Sequence, residues 1–172
     1  GQEIGESGMD EEGFSGRDGR TTIFDYWCVD TLRRLAKADP ALLTERERGL
    51  YEVYRRVVRL ANESEAVREG QFYDLMYANY DRTCGFDPDR QFAFIRKSGS
   101  ETLLIVTNFA DAPASFGLRL PAHAFDFLGM RAGLYAGLDL LSGETQTVEL
   151  KPDAYTMLSV PARGAVVLKV KA

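Results

Sequence analysis

The chain has 172 residues, enough for one good core or for one core plus an appendage. Of these residues 45% are hydrophobic and 27% are charged, which is ordinary for a globular protein. Its formal net charge is −5 and no basic stripe runs along it, so we expect no nucleic acid partner. No apolar run approaches the roughly 18 residues of a membrane-spanning helix, so we expect no membrane partner, and the compartment stays undetermined.

The first 30 residues are unusually rich in glycine and acid. Six glycines and eight carboxylates stand there against two arginines, Arg17 and Arg20. The chain also begins without methionine, so we expect this stretch to be a long loop from the middle of a larger protein. The carboxylates invite a Ca²⁺ site, but their spacing matches no EF-hand, and a solvated acidic loop is the preferred interpretation. Five of the eight carboxylates are the candidates for such a site: Glu3, Glu6, Asp10, Glu11 and Glu12.

Two helices are predicted after this loop. The first runs from about residue 30 to residue 38. The second covers 44–62 and opens with a capping box, in which Thr44 and Glu47 satisfy each other's backbone N–H groups. Asn62 is expected to end it in a left-handed conformation. The second helix carries an apolar stripe made of Leu50, Tyr54, Val57, Val58 and Ala61. We expect this stripe to fold against the following domain or to pair between two copies, because it would otherwise expose a large apolar patch.

From about residue 65 the apolar residues follow the pattern of short β-strands. Eight segments rich in β-branched and aromatic residues are bounded by Gly, Pro, Asp or Ser: 71–78, 91–97, 102–109, 115–121, 132–141, 145–150, 154–160 and 165–172. Turn sequences separate several of them, namely KSGSE at 97–101, LSGE at 141–144 and KPDA at 151–154. The pattern predicts a mainly β fold, an antiparallel sandwich of about eight strands preceded by two helices. We assign 1–64 and 65–172 to two domains.

The cysteines and the histidine give few chemical candidates. Cys28 and Cys84 would form a disulfide in an oxidising compartment, but two free, buried thiols are the preferred interpretation. His123 is the one histidine, and we expect it in a loop without a catalytic partner. A His-based metal site is therefore not predicted.

Motifs at both ends of the chain resemble one known family. GQEIG at the start is followed by the Gly/acid loop and by GRDGRTTIFDYW, and the tail contains ETLLIVTNFAD, LRLP, DLLSGE and SVPARGAVVLKV. In order and spacing they resemble the end of the catalytic barrel and the C-terminal β-sandwich of the α-amylase family, glycoside hydrolase family 13. The resemblance implies that GQEIG closes the eighth strand of a (β/α)₈ barrel, with the helix at 44–62 as the last barrel helix.

The resemblance also implies an activity for the parent protein. Family members cleave α-glucosidic bonds, as in starch and maltodextrins, with two carboxylates, with retention of configuration and without an organic cofactor. Both carboxylates lie on earlier barrel strands, so the resemblance implies no catalytic residue in this chain and no activity for the chain alone. Its implied partners are the missing barrel portion and an α-glucan. A Ca²⁺ ion belongs at most to the parent, since this chain gives it no support.

Three residues of the opening loop are candidates for substrate binding. Arg17, Asp18 and Arg20 fall where the loop would face the family's cleft, and a guanidinium offers paired donors to sugar hydroxyls in a fixed geometry. The alternative is that they only brace a long loop. The nearby aromatic residues Phe24, Tyr26 and Trp27 are expected to anchor the loop to the barrel rim rather than to stack on a sugar.

Other functions stay open. The sandwich could itself be a carbohydrate-binding module for α-glucans, through aromatic residues that would otherwise belong to the core. These residues are Tyr73, Tyr77, Tyr80, Phe92 and Phe94. The parent could also be a glucosyl-transferring or non-enzymatic relative, because this barrel supports several functions.

Overall fold

β-Strands dominate the second half of the protein. The computed structural model describes residues 1–5, 34–37, 39–99 and 101–171, and within them it forms eight strands. They are β1 Gln71–Asp74, β2 Gln91–Ser98, β3 Glu101–Asn108, β4 Ala114–Leu120, β5 Gly133–Asp139, β6 Thr145–Leu150, β7 Ala154–Val160 and β8 Gly164–Lys171. Each of the eight predicted segments supplies one strand.

The strands form two antiparallel sheets. Six strands lie in the order β1-β2-β3-β8-β5-β6, and β4 and β7 form the second sheet. All paired neighbours run antiparallel. In the larger sheet, Leu104 of β3 stands opposite Ile95 of β2 on one side and opposite Leu168 of β8 on the other. The predicted antiparallel sandwich is confirmed.

The main core takes alternate residues from both sheets. The six-stranded sheet contributes Ile95, Leu104 and Leu168, and the smaller sheet contributes Phe116 and Leu158, among others. Burial of these apolar side chains is the main force that holds the sandwich together.

The six-stranded sheet is also apolar on its other side, which we call the outer face. Leu103, Ile105 and Val167 form a second buried cluster there with Ala66, and Phe94 packs against it. Strands that are apolar on both sides have continuous apolar runs, which explains the sequence LLIV at 103–106.

Helix α1, Glu45–Glu63, begins as predicted. The Thr44 N–H donates to Glu47 Oε2 at 2.8 Å, and the Glu47 N–H donates to Thr44 Oγ1 at 3.3 Å, so the capping box is confirmed. Asn62 is still helical, and the prediction that it ends the helix was wrong. The helix stops at Glu63 because Ser64 is the N-cap of the next helix, α2, which spans Glu65–Arg68.

The apolar stripe of α1 is partly exposed. Leu50 and Tyr54 are half-buried, whereas Val57 and Val58 are exposed. The expectation that another surface covers this stripe stays a prediction. Of the other predicted helix, residues 34–36 are helical, and residues 30–33 and 38 lie outside the described residues.

Two departures from the prediction occur among the strands. The first predicted strand, 71–78, ends at Asp74, because the Asp74 carboxylate accepts from the Met76 N–H at 2.8 Å and the chain turns into a 3₁₀ helix, Met76–Ala78. A third helix, α3, spans Ala122–Leu128 between β4 and β5 and was not predicted.

The predicted turn at 141–144 is present and is held by a buried carboxylate. Asp139 accepts from the N–H groups of Leu141 and Ser142, from Ser142 Oγ, and from the N–H of Val167 on β8. Gly143 closes the turn at φ +83°, a conformation that favours glycine.

The chain divides into two compact units, Gly1–Val58 and Arg59–Ala172. The assignment of domains to 1–64 and 65–172 stays a prediction. None of the helices that the structure describes is both long and apolar enough to cross a membrane.

Candidate functional site

The predicted substrate-binding residues Arg17, Asp18 and Arg20 lie outside the described residues. So do four of the five loop carboxylates, the aromatic residues 24, 26 and 27, and Cys28. Glu3 is described, and it lies in a short 3₁₀ helix, Gln2–Ile4. In the part of the chain that the structure describes, no group of three or more His, Cys, Asp or Glu side chains is placed to hold a metal ion.

The most distinctive surface of the sandwich is a hollow beside strand β1, which we call the aromatic hollow. It is an open cavity of about 560 Å³. Its lining consists of Phe72, Tyr73, Asp74, Tyr77, His123 and Phe127. Such a combination of apolar rings with a few polar groups is typical of small-molecule sites.

Tyr73 forms the floor of the aromatic hollow. Because side chains alternate along a strand, Tyr73 points into the core and is 7% exposed, while its neighbour Phe72 lies on the opposite side. The ring centroid of Tyr73 lies 5.8 Å from that of Phe127, 5.7 Å from that of His123 and 6.3 Å from that of Tyr77. One buried ring therefore holds three exposed rings in place.

Helix α3 supplies one wall of the hollow. It begins after Pro121 and ends at Gly129, which has φ +59°. His123 and Phe127 are one turn apart, so their rings stack, with centroids 6.1 Å apart and planes 23° apart. The expectation that His123 lies in a loop was therefore wrong, since Pro121 and Gly129 delimit a short helix around it.

A chain of hydrogen bonds runs along the base of the hollow. The Tyr73 hydroxyl lies 2.6 Å from the Tyr77 hydroxyl and 2.9 Å from His123 Nδ1. Burial raises the pKa of the Tyr73 hydroxyl well above its ordinary value, and the hydrogen bond with Tyr77 raises this pKa further. Tyr73 thus stays a neutral phenol, which can donate one hydrogen bond and accept others.

The outer face of the six-stranded sheet is a second apolar surface. Phe92 and Phe72 are partly exposed there, and both rings contact Phe94, with centroids 5.6 Å and 5.4 Å from it. The face continues into the buried contact of Ala66 with Leu103.

A family model described as "Alpha amylase, C-terminal all-beta domain" matches residues 84–171, just over half of the chain. The chain belongs to the α-amylase family. The matched residues include strands β2 to β8 and helix α3, so the sandwich is the C-terminal domain of an α-amylase-family protein. The aromatic hollow takes His123 and Phe127 from the matched region and Tyr73 and Tyr77 from the segment before it.

Part of several solved α-amylases has a similar fold. A noncanonic maltogenic α-amylase from Thermotoga neapolitana is similar at a TM-score of 0.54 and 14% identity, over 72% of this chain and 26% of that one. An Anoxybacillus α-amylase is similar at a TM-score of 0.51 and 18% identity, over 76% and 24%. An α-amylase from Geobacillus thermoleovorans, complexed with acarbose, is similar at a TM-score of 0.51 and 17% identity, over 76% and 24%.

At such low identity these likenesses show the fold alone. The chain spans about a quarter of the length of these α-amylases. No curated protein matches the chain in a sequence comparison.

The α-amylase-type sandwich exposes only some of the aromatic residues that the sequence placed in its core. Tyr73 is buried, as expected, and Phe94 is half-buried, whereas Phe92 is 37% exposed on the outer face, where the core expectation was wrong. Tyr77 and Tyr80 are 55% and 62% exposed, because the chain leaves the sheet at Asp74, after which strand alternation no longer applies. Cys84 is a free and exposed thiol, so the expectation that it is buried was wrong.

Sequence reasoning missed the contribution of helix α3 to the hollow. A signal was present: Pro121 and Gly129 frame a segment whose buried residues Ala124, Phe125 and Leu128 have helical spacing. The pairing of Tyr73 with His123 joins residues 50 positions apart, and no local pattern predicts it.

Proposed function

We propose that the chain is the C-terminal part of a glycoside hydrolase that acts on α-glucans such as starch and maltodextrins. The family match over residues 84–171 carries the proposal, because it identifies the sandwich as the domain that α-amylases append to their barrel. In a retaining mechanism, one carboxylic acid protonates the leaving oxygen while a second carboxylate attacks the sugar. We place both groups N-terminal to Gly1.

The sandwich would stabilise that barrel by covering part of it. The outer face of the six-stranded sheet supports this role, since Phe72 and Phe92 are partly exposed beside a cluster of buried apolar residues on the same face. Exposed apolar surface next to a packed cluster is typical of an interface between domains.

The test is to compare the 172-residue chain with a polypeptide that extends N-terminally through the barrel. The chain alone should release no reducing sugar from soluble starch, whereas the extended polypeptide should release sugar whose anomeric configuration is retained. Nuclear magnetic resonance of the fresh product reads this configuration, and product analysis separates hydrolysis from glucosyl transfer. Release of sugar by the chain alone would refute the proposal.

We also propose that Arg17, Asp18 and Arg20 contact the sugar in the extended polypeptide, where the loop after the eighth barrel strand reaches the active-site face. Arg20→Ala should then raise KM for a maltooligosaccharide about tenfold, because a charged hydrogen bond to the sugar is lost. Arg20→Lys should restore little, since the paired donors of the guanidinium are missing. An unchanged KM, measured by steady-state kinetics, would assign the residue to bracing of the loop.

A further inference from the structure

The aromatic hollow presents ring faces at more than one angle. Tyr77 and Phe127 are 55% and 49% exposed, and both contact the buried ring of Tyr73. Their planes are inclined to the plane of Tyr73 by 55° and 49°. Tyr77 and Phe127 line an open cavity together with Tyr73, and neither ring is coplanar with Tyr73, so the surface is concave rather than a flat platform.

The polar groups of the hollow narrow the class of ligand. An apolar partner would use the rings but would also remove from water the hydroxyl of Tyr77 and the imidazole of His123. Each of these bonds Tyr73 through one atom and has a further hydrogen-bonding position, so covering it with an apolar surface has a cost in free energy. A pyranose matches both the aromatic rings and the polar groups, because the C–H faces of the sugar ring are apolar and its hydroxyls project around the edge of that ring. The chemistry therefore favours a neutral sugar.

We propose that the aromatic hollow binds glucosyl units of an α-glucan, with Tyr77 and Phe127 stacking on sugar faces and the polar groups bonding sugar hydroxyls. The choice of α-glucan rests on the proposed function, and the concave shape supports it. An α-1,4-linked glucan curves and can contact inclined rings together, whereas a β-1,4-linked glucan is a flat ribbon that would contact one ring at a time.

Affinity electrophoresis of the 172-residue chain tests the proposal. In native gels that contain amylose, the wild-type chain should be retarded, and in gels that contain hydroxyethylcellulose it should migrate as in a plain gel. Tyr77→Ala and Phe127→Ala should each weaken the binding to amylose roughly threefold to tenfold, because each removes one stacking ring.

Matched variants distinguish binding in the aromatic hollow from non-specific adsorption to the polysaccharide. Tyr80→Ala removes a tyrosine that is equally exposed, at 62%, but does not line the hollow, and it should leave the retardation unchanged. Phe127→Tyr keeps the ring and should retain binding, which also guards against loss of folding in Phe127→Ala. The proposal is overturned by an unretarded wild-type chain, by equal retardation of Tyr77→Ala and Tyr80→Ala, or by equal retardation in both polysaccharides.

The extended polypeptide distinguishes failure of this inference from failure of the proposed function. If it cleaves starch while the chain shows no retardation in amylose, the proposed function stands and the sugar-binding hollow is refuted. If both proposals hold, Tyr77→Ala should weaken adsorption of the extended polypeptide to amylose while its turnover of a short maltooligosaccharide stays unchanged. A loss of that turnover would contradict a role confined to the hollow.

Discussion

Asn79 is a buried polar residue that ties the segment after β1 to strand β4. Its Nδ2 donates to the carbonyl of Leu75 at 2.8 Å and to that of Arg119 at 3.1 Å, and its Oδ1 accepts from the Arg119 N–H at 2.8 Å. Asn79→Ala removes the partner of three backbone groups and should lower the free energy of unfolding by about 2–4 kcal/mol. Urea denaturation measures this change.

An isosteric variant separates hydrogen bonding from packing at this position. Asn79→Asp keeps the size and the acceptor but loses both donors, so that a carboxylate faces two carbonyl oxygens. It should destabilise the protein at least as much as Asn79→Ala does. Wild-type stability for Asn79→Asp would show that the side chain acts by packing alone.

Gly70, between helix α2 and strand β1, has no room for a side chain. A Cβ atom there would clash with the carbonyl oxygen of Ala66 and would lie 2.7 Å from that of Lys97, and both atoms belong to the backbone. Gly70→Ala should therefore lower the free energy of unfolding by about 3 kcal/mol or more. The matched variant Gly49→Ala lies in α1 with open space around it and should gain about 0.5–1 kcal/mol. Thermal melts compare the two, and an equal effect would contradict the steric argument.

At the scale of elements, one carboxylate fastens helix α2 to the six-stranded sheet. Glu101 at the start of β3 accepts from Ser64 Oγ at 2.8 Å, from the Ala66 N–H at 2.9 Å and from Lys169 Nζ at 2.7 Å. Burial, the largest influence, raises the pKa of Glu101, but the hydrogen bonds from Lys169, Ala66 and Ser64 together hold this pKa below its ordinary value of 4.5.

The sign of the pH dependence follows from the lowered pKa. The folded state binds the Glu101 proton more weakly than the unfolded state, so the stabilisation is complete above the ordinary pKa and is lost as pH falls through the folded value. Glu101→Gln should lower stability by about 1–3 kcal/mol near neutral pH. The difference between wild type and variant should shrink below about pH 4.5. Urea titrations over this range measure it, and a difference independent of pH would argue against a charged Glu101.

The elements were predictable wherever local pattern decides them. Each of the eight strands follows from short apolar segments between turn residues, and the start of α1 follows from Thr44 and Glu47. The end of β1 was not predictable in this way, because the hydrogen bond of Asp74 to Met76 competes with a run of residues suited to a strand.

The candidate site was less predictable than the fold. Its ring faces come from a 3₁₀ helix and from α3, which are far apart in sequence and both contact Tyr73 of β1. Asn79 and Glu101 likewise act on partners 40 and 37 residues away, and spacing along the chain does not reveal such pairs. The sequence identifies the aromatic residues that could bind a ligand, but which of them are exposed depends on the tertiary structure.

At the scale of the whole molecule, the outer face of the six-stranded sheet is the surface that a preceding barrel would cover. Phe92 packs against Phe94 in that face yet keeps 37% of its surface exposed. If the face covers a barrel, removal of the Phe92 ring should lower the stability of the 172-residue chain only slightly. It should lower the stability of the extended polypeptide much more, because there the ring would be fully removed from water.

We therefore expect Phe92→Ser to lower the Tm of the extended polypeptide by several degrees more than it lowers the Tm of the chain, measured by scanning calorimetry. Met157→Ser is the matched control, because Met157 is an exposed apolar residue, at 67%, on the smaller sheet rather than on the outer face. It should shift both melting temperatures equally. Equal shifts for Phe92→Ser as well would mean that the barrel does not cover this face, and the exposed rings would then need another explanation.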